Sequence, residues 1–152
     1  MRGFTLVELM IVVAVIAVIA AIAVPNLLSS KKAANQSSAI SNLRNLATAQ
    51  ETYAAAHSNK YADSFDDLNF LTNTADKTEI IRSGYHYYLV VNGTHTNWYA
   101  YALAVTTDDG DYHYFVDKSS VIRHESSSTT VSNPDTYASN PAGKTWTPLG
   151  ED

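Results

Sequence analysis

Cysteine is absent from this chain of 152 residues. Its absence excludes a disulfide framework, a thiolate nucleophile, an iron–sulfur cluster and a zinc site built from cysteine ligands. The fold must therefore be held together by packing and hydrogen bonds alone. A chain of this length has room for one modest domain and an accessory segment.

Clusters of basic residues are also missing. The ten Lys and Arg residues are scattered, only Lys31 and Lys32 are adjacent, and the formal net charge is -5. Nucleic acid binding depends on a basic patch or stripe that neutralises phosphates. The sequence therefore indicates no nucleic acid partner.

Charge is almost absent from the N-terminal segment. Residues 4–24 are apolar except for Thr5 and Glu8, and Glu8 is the only charged residue between Phe4 and Ser30. A helix of these 21 residues reaches about 31 Å, which is the thickness of the hydrocarbon core of a bilayer. The apolar region of an ordinary secretory signal is shorter, about 7 to 15 residues. Residues 4–24 are therefore predicted to form a transmembrane helix.

Glu8 needs an explanation within such a segment. A charged side chain at mid-membrane costs about 2.5 to 3.5 kcal/mol on insertion scales, so an acid there usually has a partner or a function. Glu8 lies near one end of the apolar run, where the cost is smaller. One interpretation is an interfacial acid on a plain single-span anchor.

Residues 3–8 (GFTLVE) resemble the processing motif of type IV pilins and type II secretion pseudopilins. The resemblance implies a leader of residues 1–3, short even for this family, which a prepilin peptidase in the membrane removes by cleavage between Gly3 and Phe4. It also implies N-methylation of the new N-terminal residue, Phe4. The resemblance is strong over residues 1–57 and general in layout beyond them.

The resemblance supplies a partner for Glu8. Cleavage frees an amine at Phe4 that still carries charge after methylation, and Glu8 of one subunit would meet this amine on a neighbouring subunit. Such a pair attracts far more strongly in a low dielectric than in water, whereas an unpaired charge is penalised there. The hypothesis is that Glu8 and Phe4 together set the register of assembly.

The same resemblance implies where the chain resides and what it contacts. Its partners are further copies of itself in a helical homopolymer, the inner membrane, the prepilin peptidase and the pilus assembly machinery. The subunit is expected in the inner membrane before assembly and in a cell-surface pilus filament afterwards. No cofactor is expected.

Pro25 follows the apolar run and lacks the N–H that would bond the carbonyl of Ala21. The alternatives are a helix that ends at Val24 and a helix that continues with a kink at Pro25. Continuation is favoured because apolar residues recur at helical spacing over residues 25–57. These residues are Ile40, Leu43, Leu46, Ala47, Tyr53 and Ala54.

The remaining chain predicts a small antiparallel sheet. Residues 58–124 contain a loop and four strand-like runs that are rich in aromatic and β-branched residues, with an Asn92-Gly93 hairpin signal between the first two runs. The runs are residues 85–91, 97–105, 112–116 and 121–123. The predicted fold is α+β, a long N-terminal helix whose C-terminal half packs on a four-stranded antiparallel sheet, which resembles a pilin.

The last segment, residues 125–152, is rich in Ser, Thr, Asn and Pro without periodicity and is interpreted as a loop or tail. Within it, Trp146 and Leu149 are expected to dock onto the sheet. Many pilins close this region with a disulfide, which a chain without cysteine cannot form.

One candidate metal site is present. Asp108, Asp109 and Asp111 offer the hard oxygen ligands that calcium prefers, although an Asp-Gly turn explains the same residues. The five histidines lack the spacing of metal ligands. Calcium is therefore a weak alternative, and the main prediction is that no metal is bound.

Nothing in the sequence indicates an enzyme, because no set of nucleophile, base and orienting residue and no phosphate-binding loop can be recognised. The favoured interpretation is a structural subunit of a type IV pilus. A pseudopilin of a type II secretion system and a single-span membrane-anchored binding module are the alternatives.

Overall fold

The computed structural model describes residues 4–70, 78–127 and 146–150 of the chain. It contains one long helix followed by strands. The helix is α1 (Leu6–Ala56), and the strands are β1 (Glu79–Arg82), β2 (Tyr85–Val91), β3 (Trp98–Ala104), β4 (Tyr112–Asp117), β5 (Arg123–Ser126) and β6 (Thr147–Pro148). The predicted leader and most of the predicted tail lie outside the described residues.

Helix α1 runs without interruption through Pro25, so the prediction that the helix continues past Val24 is confirmed. The predicted end near residue 57 is also confirmed, because His57 is the C-cap and donates its backbone N–H to the carbonyl of Ala54 at 3.2 Å. The abundance of alanine in the second half of the helix favours this conformation. The kink at Pro25 remains a prediction.

The strands form one antiparallel sheet in the order β1-β2-β3-β4-β5-β6. The predicted α+β class and the antiparallel pairing are confirmed, but the predicted number of four strands is wrong. Strand β1 lies in the stretch that was interpreted as a loop, and it joins β2 through Ser83-Gly84, both at positive φ (50° and 71°), which suits a tight hairpin turn. Strand β6 was missed because it has only two residues and pairs with β5.

The predicted hairpin between β2 and β3 is confirmed, with Val91 opposite Trp98. Its loop is longer than the two-residue turn suggested by Asn92-Gly93. The side-chain oxygen of Asn92 accepts hydrogen bonds from the backbone N–H groups of Thr96 and Asn97, at 2.8 and 3.0 Å. The last predicted strand, residues 121–123, is displaced along the chain and forms as β5.

The core lies between the C-terminal half of α1 and one face of the sheet. Leu43 and Leu46 of the helix and Tyr87 and Trp98 of the sheet have no exposed surface. Gln50 is equally buried, and its side-chain amide pairs with both backbone groups of Ala62. The predicted packing of the amphipathic half of the helix on the sheet is therefore confirmed.

The opposite face of the sheet carries a second aromatic cluster around Tyr101 and Phe115. Trp146 covers it, with its ring centroid 5.4 Å from that of Phe115 and 6.1 Å from that of Tyr101. Leu149 donates its backbone N–H to the carbonyl of Ile122 at 3.1 Å. The expected docking of Trp146 and Leu149 on the sheet is confirmed.

Candidate functional site

The N-terminal half of α1 carries a continuous exposed apolar surface. Every residue from Phe4 to Ser30 is exposed, including the large apolar side chains of this segment. Among the described residues, α1 is the one helix that is long enough and apolar enough to span a membrane. Soluble monomers rarely expose apolar patches of this size. A surface of this kind is typical of a contact with a membrane or with other protein chains.

The first turn of this segment is closed by Thr5 and Glu8. Glu8 Oε2 accepts from the backbone N–H of Thr5 at 2.9 Å and from its hydroxyl at 2.7 Å, and the backbone N–H of Glu8 donates to Thr5 Oγ1 at 3.2 Å. This arrangement is a capping box with Thr5 as the N-cap. It satisfies two N–H groups that an α-helix leaves without an internal partner.

The cap gives Glu8 a role within its own chain that the sequence analysis missed. The signal was present, because Thr5-x-x-Glu8 is the Ser/Thr-x-x-Glu pattern of a capping box. Glu8 Oε1 accepts no hydrogen bond from the described residues. One carboxylate oxygen therefore holds the helix end, and the other remains accessible to a donor from outside the chain.

Phe4, the residue predicted to be methylated, immediately precedes the cap and is 80% exposed. Gly3, on the other side of the predicted cleavage bond, lies outside the described residues. Thr5 directly follows Phe4 in the chain, and its backbone N–H donates to the Glu8 carboxylate. The carboxylate therefore lies beside the backbone atoms at which processing would free an amine.

Lys31 and Lys32 lie beyond the apolar segment and fasten α1 to the loop between β3 and β4. The Lys31 ammonium is 2.9 Å from Asp109 Oδ1, and the Lys32 ammonium is 2.8 Å from Asp111 Oδ1. Asn35 adds a hydrogen bond from its Nδ2 to the carbonyl of Asp109 at 3.0 Å. These contacts are named here the lysine clamp. The clamp fixes the edge of the globular part that is nearest to the apolar segment.

The carboxylate of Asp109 is the best protected group of the lysine clamp. The Thr106 hydroxyl, which donates to Asp109 Oδ2 at 2.7 Å, lowers the pKa of this carboxyl group below its ordinary value, and Lys31 lowers it further. Asp109 is therefore ionised through the physiological range, as the ion pair with Lys31 requires.

Two of the three calcium candidates, Asp109 and Asp111, thus pair with lysine ammonium groups. Asp108 is exposed and forms no such pair with the residues that the structure describes. Within residues 4–70, 78–127 and 146–150, no group of three His, Asp or Glu side chains is arranged to hold a metal ion.

Comparison with known proteins identifies the N-terminal segment. Residues 1–24 match the family model described as the prokaryotic N-terminal methylation motif. The match covers the segment on which the resemblance to type IV pilins and type II secretion pseudopilins rests, and the chain therefore carries the prokaryotic N-terminal methylation motif.

One relative extends the similarity beyond the motif. The type IV major pilin protein PilA of Myxococcus xanthus (strain DK1622) is 45% identical over 69 residues. This match covers 45% of the present chain and 31% of the relative. The similarity thus extends further than residues 1–24, but the chain matches less than a third of the length of this relative.

Proposed function

We propose that this chain is a structural subunit of a type IV pilus, held in the inner membrane by residues 4–24 and then assembled into a helical filament. The observation that carries the proposal is the exposed apolar half of α1, whose first turn is closed by the capping box of Thr5 and Glu8. The similarity to a type IV major pilin favours a pilus over a pseudopilus. The proposed role is structural and involves no catalysis.

Assembly follows from the two ways to cover the apolar segment. In the membrane, lipid chains cover it, and in a filament the same segments of other subunits do so. Because the helix satisfies its own backbone hydrogen bonds, it is stable in both surroundings. A head-to-tail contact that does not close into a ring extends into a filament.

Glu8 provides direction to this assembly. Its Oε1 is accessible to the amine at Phe4 of the next subunit, while its Oε2 holds the cap of its own helix. The pair forms where little water is present, so leaving it unmade is costly. Processing by the prepilin peptidase precedes this step, because the amine does not exist before cleavage.

The test uses cells of the source organism with and without the gene for this chain, compared by electron microscopy of surface material removed by shearing. The proposal predicts fibres that vanish on deletion and return when the wild-type gene is restored. Loss of secreted proteins with surface fibres intact would instead favour the pseudopilin. Membrane-bound monomers with an uncleaved leader would favour an anchored binding module.

A further inference from the structure

The C-terminal half of α1 presents an exposed ridge that includes Arg44 and Thr48. A groove runs along one flank of this ridge. It is about 400 Å³ in volume and lies between the helix and the turn that ends at Phe70. Ala49, Thr52, Asp67 and Leu68 are among the residues that line it. This feature is named here the Leu68 groove. It is mainly apolar, with the Asp67 carboxylate at its wall.

The Asp67 carboxylate is held in position within its own chain. Asp67 Oδ2 accepts from the Ser64 hydroxyl at 2.7 Å, and the backbone N–H of Asp67 donates to Ser64 Oγ at 3.2 Å. Asp67 Oδ1 accepts no hydrogen bond from the described residues. The groove therefore presents an exposed anion in a fixed position, with one oxygen unused.

Arg44 lies on the other flank of the same ridge. It borders a second depression with Ile40, Ser41 and Tyr114. Arg44 is exposed, and no acid among the described residues lies within 4.0 Å of its guanidinium. Five positions separate Arg44 from Ala49, so the two residues point about 140° apart around the helix. An unpaired cation and the anionic groove thus lie on different flanks.

The axial positions of these two features match the register proposed for the N-terminus. If Glu8 of one subunit lies level with the amine at Phe4 of its neighbour, the neighbour is displaced along the helix axis by four residues, about 6 Å. The same displacement brings Arg44 of the neighbour level with Thr48 of the first subunit. Thr48 is itself a lining residue of the Leu68 groove.

We propose that Arg44 of one subunit enters the Leu68 groove of the adjacent copy and pairs with Asp67. This interface rests on the proposed function, since it uses the axial offset of the filament. It joins two different surfaces of the same chain, which is the type of contact that extends a filament rather than closing a dimer. The charge pair serves mainly to fix orientation and register, as charged pairs at interfaces commonly do.

Charge reversal tests the pair. Since like charges at an interface are strongly disfavoured, Arg44→Asp is expected to lower the yield of sheared filaments about tenfold, while the amount of subunit in the membrane stays unchanged. Asp67→Asn removes the charge but keeps an acceptor for Ser64, and it is expected to lower the yield less. The matched control is Arg82→Asp, which changes an exposed arginine of β1 that lines neither depression.

Cross-linking tests the contact directly, because the chain has no cysteine of its own. Two single variants, Arg44→Cys and Asp67→Cys, are expressed together with the wild-type chain so that filaments still form. A bismaleimide long enough to replace an Arg–Asp pair is expected to give heterodimers from intact filaments. Arg44→Cys combined with Asp108→Cys is the control and is expected to give few.

The outcomes separate the two proposals. Filaments without cross-linked dimers above the control level, or a normal filament yield from Arg44→Asp, would overturn the interface and leave the pilus function standing. Absence of any filament from the wild-type chain would instead overturn the proposed function.

Discussion

Thr5 and Glu8 hold each other reciprocally at the first turn of α1, the hydroxyl of Thr5 accepting from the Glu8 backbone and the Glu8 carboxylate accepting from both donors of Thr5. The acid in the apolar segment therefore has a hydrogen-bonding role before any neighbour arrives. Its charge is a separate property. The cap needs only an acceptor, whereas pairing with an amine on another subunit needs a negative charge.

The variant Glu8→Gln separates these two roles. Glutamine retains an acceptor suited to a capping box but carries no charge. We expect processed subunits to accumulate normally in the membrane while surface filaments are lost. Immunoblots of membranes, with electron microscopy of sheared material, measure the two quantities. Wild-type amounts of filament from Glu8→Gln would contradict the role assigned to the charge.

The variant Thr5→Ala tests the cap alone. Loss of an N-cap side chain typically costs about 1 kcal/mol of helix stability. We expect hydrogen exchange of the first turn of α1 to become faster in detergent-solubilised subunit, with the charge of Glu8 unchanged. Thr5→Ser keeps the hydroxyl and is the control. Equal exchange rates in the Ala and Ser variants would show that the Thr5 cap does not hold the helix end.

The lysine clamp is expected to contribute modestly and to depend on salt. A double-mutant cycle with Lys31→Gln and Asp109→Asn is expected to give a coupling energy of about 0.2 to 1 kcal/mol, as for other exposed pairs. It should shrink in 1 M salt, where the screening length is about 3 Å. Urea unfolding of the solubilised subunit at low and high salt measures it.

Acid provides a second check on the same pair. The folded pKa of Asp109 lies below its ordinary value of 3.8, so its stabilising contribution is present above that value and is lost as the pH falls through the lowered pKa. A coupling energy that persists at 1 M salt, or one that survives protonation of Asp109, would exclude an ionic clamp.

Gln50 is expected to contribute far more to the free energy of unfolding than the lysine clamp does. Its amide donates to the carbonyl of Ala62 at 2.8 Å and accepts from the Ala62 N–H at 3.0 Å, and both residues are buried. Gln50→Leu leaves two buried backbone groups unpaired and should cost about 2 to 4 kcal/mol of unfolding free energy. Gln36→Leu, at a partly exposed position, is the control and should change it by less than about 0.5 kcal/mol. Similar losses in the two variants would contradict this account.

Alkaline pH is expected to unfold the globular part through its buried tyrosines. Burial raises the pKa of Tyr114 to about 12 from an ordinary value of 10.0, and burial raises the pKa of Tyr85 and Tyr101 as well. The folded state therefore holds these protons more tightly than the unfolded state. The contribution of these tyrosines to stability should be constant below pH 10 and fall as the pH rises toward 12.

Urea unfolding between pH 8 and pH 12, with tyrosinate absorbance as the titration signal, measures this effect. Tyr114→Phe removes one titrating group and should flatten part of the decline. A free energy of unfolding that does not change between pH 10 and pH 12 would show that these phenols are not the groups that matter.

Local patterns in the sequence predicted much of this fold. The spacing of Leu43, Ala47 and Ala54 predicted the buried stripe of α1, and all three residues are buried. The aromatic and β-branched content of residues 85–91 predicted β2, where Tyr85, Tyr87 and Leu89 point into the core. These features depend on spacing or composition within one element, which is visible in the sequence.

Features that depend on distant residues were not predicted. Lys31 and Asp109 are 78 positions apart, and only the folded sheet brings the β3–β4 loop beside α1. Strand β6 exists because β5 offers an edge to pair with, rather than because Thr147 and Pro148 have strong strand preferences. The Thr5 cap was also not predicted, although Thr5-x-x-Glu8 is a local signal for it.

The mass of the N-terminal peptide of subunits recovered from sheared surface fibres tests the central claim most directly. The account predicts a peptide that begins at Phe4 with one methyl group on its amine. A peptide that begins at Met1, from subunits that are monomeric in the membrane fraction, would contradict it.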